Sequence, residues 1–203
     1  MSPHAYSEDQ LVEQPAIGLF AELGWQTATA LEETFGMGST LGRETRSEVV
    51  MVKRLRAALC KFNPALPPEA IANAVDELTR LEAANREVYR LLKEGIMVSV
   101  PNLGSDAREH GGQSGGQCAE RLRVVDWEHP ENNDFVLVSQ FSVTGALYTC
   151  RPDLVGFING LPWVVIELKK PGVPARAAFD ENLTHYMQQI PNLFWFNALM
   201  IAS

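Results

Sequence analysis

Two acids and a lysine stand out in the segment RPDLVGFINGLPWVVIELKKPG, residues 151–172, because they interrupt runs that otherwise read as core strand. Glu167 and Lys169 are two apart, so on a strand they project from one face. Burying a carboxylate beside an ammonium is costly unless the two pair or bind a metal. Taken alone, the trio Glu-Leu-Lys reads as an ion pair at a fraying strand end. Asp153 changes that reading if register lets it reach Glu167. Asn159-Gly160 invites a two-residue hairpin turn, which places Asp153 opposite Ile166 and leaves Glu167 on the other face. A three-residue loop, Asn159-Gly160-Leu161, instead sets Asp153 against Glu167 with Cβ atoms roughly 4.5–5.5 Å apart. Facing carboxylates repel without a cation between them. The expectation is an odd-numbered loop, or a bulge that shifts the register; a plain two-residue turn would remove the geometry.

In that register, Asp153, Glu167 and a nearby backbone carbonyl, that of Leu168, make a hard-oxygen site suited to Mg²⁺ with several waters retained. Such an ion polarises a phosphate oxygen and lowers the pKa of a bound water. Lys169 beside it suits orienting that water and offsetting charge that builds on the phosphorus centre. A third acid is sought on the first helix. Glu8 stands at helical spacing from Leu11, Val12 and Pro15 and so falls on the apolar face. Glu13 falls off that stripe, so Glu8 is preferred. An acid in a first helical turn also complements the helix dipole without any catalytic role.

The elements that must hold these residues are legible as patterns. Ser7 with Gln10 reads as a capping box opening a helix that Gly24 stops, with a kink or restart at Pro15. Residues 27–46 read as irregular. A second helix is expected over about 47–60, and a longer one over about 69–94, with Ile71, Val75, Leu78, Leu81, Val88 and Leu92 facing inward. Residues 103–117 lack periodicity and read as a loop. Strands follow as RLRVVDW, DFVLVSQFSV, ALYTC, DLVGFI and WVVIELK. A helix over about 175–189, ended by Pro191, precedes a last apolar strand segment. Helices followed by strands, a helix and a strand point to an α/β or α+β domain.

Composition narrows the class. With 203 residues and 46% hydrophobic, the chain can bury one sizeable core. No apolar run reaches the roughly 18–20 residues a membrane span needs, and MSPHAYSEDQ is not a secretory leader. Cys60, Cys118 and Cys150 are odd in number and form no CxxC, which suits reduced thiols and a cytoplasmic location. The four scattered histidines offer no zinc spacing. A net charge of −8 argues against a domain that grips nucleic acid over a broad basic surface. It suits a module that cuts while other domains or subunits hold the DNA.

The run from about Arg123 to Gly172, with NNDFVLVSQFSV, RPD and NGLPWVVIELKKPG, resembles the PD-(D/E)xK nuclease core at the N-terminus of type I restriction endonuclease R subunits. SEDQLVEQPAIGLFAELGW is similar to their opening helix, and QQIPNLFWFN to the stretch after the nuclease motif. The resemblance covers nearly the whole chain. It implies a restriction-endonuclease-like α/β fold: a mixed central sheet flanked by helices, with a helical insertion after the first helix. The expected plan is one nuclease domain over 1–203, with the insertion at about 47–95 and the core at about 121–203. It implies that Asp153 and Glu167 bind the metal, that Lys169 is the catalytic lysine, and that Glu8 is the leading-helix acid. The family's QxxxY motif finds its tyrosine at Tyr186, but Asn182 stands where glutamine belongs. That pair is implied to contact DNA or support the site; Tyr186 is equally read as an ordinary amphipathic-helix residue. The implied partners are double-stranded DNA and the methyltransferase and specificity subunits of the restriction complex. The family's R subunit continues into an ATP-driven translocase. No GxxxxGK[ST] loop occurs here, so ATP is expected only for the full-length subunit. The chain ends straight after an apolar strand and is expected to be an N-terminal fragment of a longer R subunit.

Lys53, Arg54, Arg56, Lys61, Lys170 and Arg176 are candidate phosphate guides, although a charge run on a helix is usually a solvated face. Asn132, Asn133 and Gln140 resemble family positions, and Pro130–Asn133 also reads as a turn entering a strand. Two other readings stay open: a stand-alone PD-(D/E)xK nuclease in repair or defence, and a non-catalytic module that docks other subunits.

Overall fold

A computed structural model of the protein describes residues 9–80, 85–101, 117–196 and 198–203. A π-helical turn, Asp9–Glu13, leads into α1 (Gln14–Glu22), with Pro15 in its first turn, where a missing N–H costs nothing. Glu13 is itself helical, so the chain changes from π to α geometry beside Pro15 without the interruption that a kink or restart would bring, while Ser7 lies outside the described residues. Gly24, at φ 89°, turns the chain out of the helix into β1 (Gln26–Thr29). A helical layer follows: α2 (Val52–Phe62), α3 (Pro68–Thr79) and α4 (Asn85–Glu94). Next come the hairpin β2 (Ile96–Pro101) and β3 (Gln117–Leu122), then β4 (Phe135–Ser139). The short pair β5 (Val143–Thr144) and β6 (Thr149–Cys150) precedes β7 (Leu154–Ile158) and β8 (Leu161–Glu167). The chain then passes through α5 (Ala175–Ala177), a π-helical stretch (Ala178–Leu183), α6 (Thr184–Gln189) and a 3-10 turn (Pro191–Phe194) into β9 (Leu199–Ala202).

The result is an α/β protein with a mixed five-stranded sheet in the order β1-β4-β7-β8-β9. The three central strands are antiparallel, while β1 runs parallel to β4 and β9 parallel to β8 at the two edges. Several sequence expectations need correction. The segment 27–46 opens with a strand: Gln26-Thr27-Ala28-Thr29 is too polar for a core pattern because it is a largely exposed edge. The second helix starts at Val52 and not near 47, because Val49, Val50 and Met51 are buried and the Met51 N–H donates to the Gly160 carbonyl at 2.8 Å. The long helix expected over 69–94 is two helices. α3 closes at Arg80 (φ −100°), and residues 81–84, with Leu81, lie outside the described residues. The strand expected over 121–127 stops at Leu122 and starts earlier, at Gln117, to pair with β2, a strand the sequence reading missed. Most of the expected loop, 102–116, lies outside the described residues.

The sheet buries both faces. Val136, Val138, Val155, Phe157 and Val165 face the main core, packed with α2, α3 and the C-terminal helix. Leu137, Leu154, Ile166 and Leu168 face the other way and are covered by Val12 of the π-helical turn and by Ala16, Ile17 and Phe20 of α1. Strands covered on both sides read as continuous hydrophobic runs, as β7 and β8 do.

Register between β7 and β8 decides the site. Asn159 (φ 53°) and Gly160 (φ 80°) form a two-residue turn, with Ile158 opposite Leu161. The pairing then shifts: Phe157 faces Pro162, but Gly156 faces Val164 and Leu154 faces Ile166. Trp163 is therefore the extra residue of a β-bulge. The three-residue loop is absent, and the bulge supplies the shift in its place. No helix among the described residues is long and apolar enough to cross a membrane.

Candidate active site at the ends of β7 and β8

Past the bulge, each residue of β7 meets one of β8 with numbers summing alike, so Asp153, next after Leu154, comes opposite Glu167. Across the other edge of β7, the Gln140 N–H donates to the Asp153 carbonyl at 2.7 Å, continuing the β4 pairing of Ser139 with Leu154. Gln140, Asp153 and Glu167 thus form one row across three strand ends. The Asp153 carboxylate is held in turn: its Oδ2 accepts the Leu168 N–H at 2.8 Å.

Glu167 sits on the main-core face with its side chain only 4% exposed. Its Oε1 accepts a hydrogen bond from the Tyr186 hydroxyl at 3.4 Å and lies 3.8 Å from Lys169 Nζ. Its Oε2 is buried and has no hydrogen-bond partner. Burial pushes the carboxyl up to about 8, the neighbouring Asp153 carboxylate adds to the rise, and Lys169 only partly offsets it. Burial likewise pushes the Tyr186 phenol up.

Lys169 Nζ donates to Asn182 Oδ1 at 2.8 Å, a closer contact than its ion pair. Asn182 Nδ2 in turn donates to the Tyr186 hydroxyl at 3.4 Å. Both residues come from the helix after the sheet, Asn182 from its π-helical stretch, a local widening often found where a helix presents a functional side chain. Tyr186, 8% exposed, packs in the main core while its hydroxyl reaches the polar cluster, so core packing and site support coincide in one side chain.

The structure thus brings Asp153, Glu167, Lys169, Asn182 and Tyr186 together. The N–H and carbonyl of Glu167 and Lys169 that pair with β9 are the Lys169 N–H and the Glu167 carbonyl, bonded to Ser203. Strand alternation therefore turns the backbone of Leu168 toward Asp153, in line with its N–H bond there. Lys170, the next residue along, is exposed. Glu8 lies outside the described residues. Glu13, set aside by the periodicity reading, is 8% exposed and accepts hydrogen bonds from Gln140 Nε2 at 3.0 and 3.2 Å. A π-helical turn shifts the phase of the residues before α1, and the 3.6-residue stripe does not account for that shift. Gln140 was legible only as a resemblance, because its weight lies in backbone geometry.

The basic residues of α2 fall at the far end of the hairpin. Arg54 pairs with Asp134 at 2.8 Å, and Lys61 donates to the Asn132 carbonyl at 2.6 Å. Asn133 belongs to the same end: its Oδ1 accepts from Asn159 Nδ2 at 2.8 Å and from the Asp126 N–H at 3.0 Å, which locks the turn. Arg176 pairs with Asp180 on the helix after the sheet.

Two carboxylates, one of them with an unpartnered buried oxygen and raised by its neighbour, are the donor set a hard divalent cation would relieve. Among the described residues no group of three or more His, Cys, Asp or Glu is placed to hold a metal. An ion here would depend on two acids, a backbone carbonyl and water, the partial coordination that Mg²⁺ favours.

Residues 5–203 match the family described as type I restriction enzyme R protein N terminus. The chain is 34% identical over 201 residues to the type I restriction enzyme HindI endonuclease subunit of Haemophilus influenzae, which covers 95% of the chain and 18% of that relative. It is 25% identical over 207 residues to the putative type I restriction enzyme MjaIXP endonuclease subunit of Methanocaldococcus jannaschii, covering 97% and 18%. A shorter match, 37% over 82 residues and 40% of the chain, is to the SsaAORF53P endonuclease subunit of Staphylococcus saprophyticus. The chain therefore spans about a fifth of the length of the first two relatives.

Proposed function

Because the chain belongs to the family of type I restriction enzyme R protein N-termini, we propose that it is the PD-(D/E)xK nuclease domain of such a subunit, hydrolysing DNA phosphodiesters with Mg²⁺. The observation that carries this is the pairing of Asp153 with Glu167 across a bulged register, leaving Glu167 Oε2 buried and unpartnered. Its relatives' description as restriction endonuclease subunits supports the same reading.

Asp153, Glu167 and the Leu168 carbonyl would hold the ion. Bound there, Mg²⁺ supplies Lewis-acid polarisation of the scissile phosphate and a more acidic water. Asp153 is kept in place by the Leu168 N–H, and Glu167 by the Tyr186 hydroxyl. Lys169, anchored by Asn182, presents its ammonium beside Glu167, where it orients the attacking water and offsets charge gathering on the phosphate oxygens. Double-stranded DNA is the proposed substrate, with methyltransferase and specificity subunits as partners that select the sequence and hold the duplex. An acidic chain of net charge −8 suits that division of labour.

The test is cleavage of circular DNA by the restriction complex reconstituted with this chain, its Asp153→Ala form or its Lys169→Ala form. Each substitution should abolish cutting while the fold, followed by circular dichroism, survives. Cutting at the unaltered rate by either variant would refute the assignment. Cutting by the chain without partners or ATP would point to a stand-alone nuclease. Failure of Mn²⁺ to bind between the two acids in a calorimetric titration would leave the docking-module reading.

A further inference from the structure

Gln140 follows β4 with φ 57°, the left-handed region that a non-glycine side chain enters only at a cost. Along β4, Val136 and Val138 face the main core, and plain alternation would send Gln140 there too. The left-handed turn sends the side chain instead toward α1. There its amide donates to both carboxylate oxygens of Glu13, at 3.2 and 3.0 Å, while its own N–H holds the Asp153 carbonyl at 2.7 Å. Glu13 and Gln140 line a groove of about 660 Å³ with Thr27, Thr29 and Ser139, so the buried acid borders open space at the end of the sheet. Strain observed at such a position is a pointer to function. If only the backbone turn mattered, glycine or asparagine would suit it better. What glutamine adds is reach.

We propose that Gln140 is a positioning residue for the metal site, gripping Asp153 through its main chain and Glu13 through its side chain. The helix acid and the Asp153 strand are thereby fixed in one relation. This rests on the nuclease reading above and extends it to a residue that touches neither metal nor DNA.

The experiment measures Mn²⁺ affinity of the full chain without DNA, by calorimetry, and the Mg²⁺ dependence of cleavage in the reconstituted complex. Gln140→Ala and Gln140→Asn both keep the N–H that holds Asp153 and both lose the reach to Glu13. Each should weaken Mn²⁺ binding about 10-fold or more, the effect typical of removing a partner that orients metal ligands, and raise the Mg²⁺ needed for half-maximal cutting. Glu13→Gln should do the same, and the double variant Glu13→Gln with Gln140→Ala should lose little more than either alone, since the two act as one unit. Asparagine tolerates the left-handed backbone, so Gln140→Asn carries the test if Gln140→Ala fails to fold. Wild-type Mn²⁺ affinity in Gln140→Asn, with affinity lost in Asp153→Asn, overturns this inference and leaves the nuclease reading standing. Absence of Mn²⁺ binding by the unaltered chain overturns both.

Discussion

Glu167 gives the sharpest quantitative expectation. Its carboxyl is raised from 4.5 to about 8, first by burial and then by Asp153. Between those pH values the native state keeps a proton that the unfolded chain has released. The stability this group contributes is therefore complete below about pH 4.5 and is lost as the pH climbs toward 8. The gap is worth at most about 5 kcal/mol at 1.36 kcal/mol per decade. Water entry and relaxation around a site with an effective dielectric near 20 reduce that to roughly 2–3 kcal/mol. Glu167→Gln removes the ionisation and keeps the shape. In EDTA at pH 8 the variant should melt roughly 5–10 °C above the unaltered chain, given about 2–4 °C per kcal/mol for a domain of this size. At pH 5 the difference should shrink to about 1 kcal/mol or less, because Glu167 is then protonated in the fold. Excess Mg²⁺ should restore the unaltered chain at pH 8 and leave the variant unmoved, since ligand binding to the native state alone stabilises it. Thermal melts of both proteins from pH 5 to 8 are the assay. Curves that stay parallel across that range would show that Glu167 carries no unfavourable charge, and the case for a cation-hungry carboxylate would fall with it.

Two further expectations follow from single contacts. Asn182→Ala removes the acceptor that holds Lys169 Nζ at 2.8 Å. Cleavage should drop about 10–100-fold, as for a lost orienting partner, while the melting temperature moves by no more than a few degrees; an unchanged rate would show that Lys169 needs no anchor. Gly160→Ala should cost about 2–5 kcal/mol, adding left-handed strain to overpacking. A Cβ there would come within 2.6 Å of the Met51 carbonyl oxygen and 2.8 Å of the Leu55 nitrogen, and the backbone φ is +80°. Denaturant melts check it, and a loss under 1 kcal/mol would mean that the start of α2 is not pinned to the hairpin.

Much of the site was readable because chemistry interrupts pattern. Glu167 and Lys169 break a run of core residues, and the demand that Asp153 reach Glu167 calls for a register shift. The means of that shift was not readable as a bulge at Trp163, since nothing local distinguishes an extra residue in an apolar run from a paired one. Glu13 is ranked behind Glu8 by a periodicity that assumes 3.6 residues per turn, and the π-helical turn at Asp9–Glu13 departs from it. β1 escaped because edge strands need not bury a face. Gln140 was legible only as a resemblance, because its left-handed backbone angle leaves no mark in the pattern. In each case geometry that a local pattern does not carry decided the outcome, and one of these residues, Gln140, bonds Asp153 directly.

The register of this hairpin has a consequence for how the proposed activity would be lost. Substituting Trp163 leaves the count of residues between the turn and Glu167 intact, so every letter and every facing is preserved. Removing one codon among Val164, Val165 and Ile166, beyond the bulge, instead sets Glu167 opposite Leu154 on the side covered by α1, away from Lys169's anchor and Tyr186. A chain with an unblemished Asp…Glu-x-Lys signature would then be catalytically silent, and inspection of the motif alone would pass it as intact.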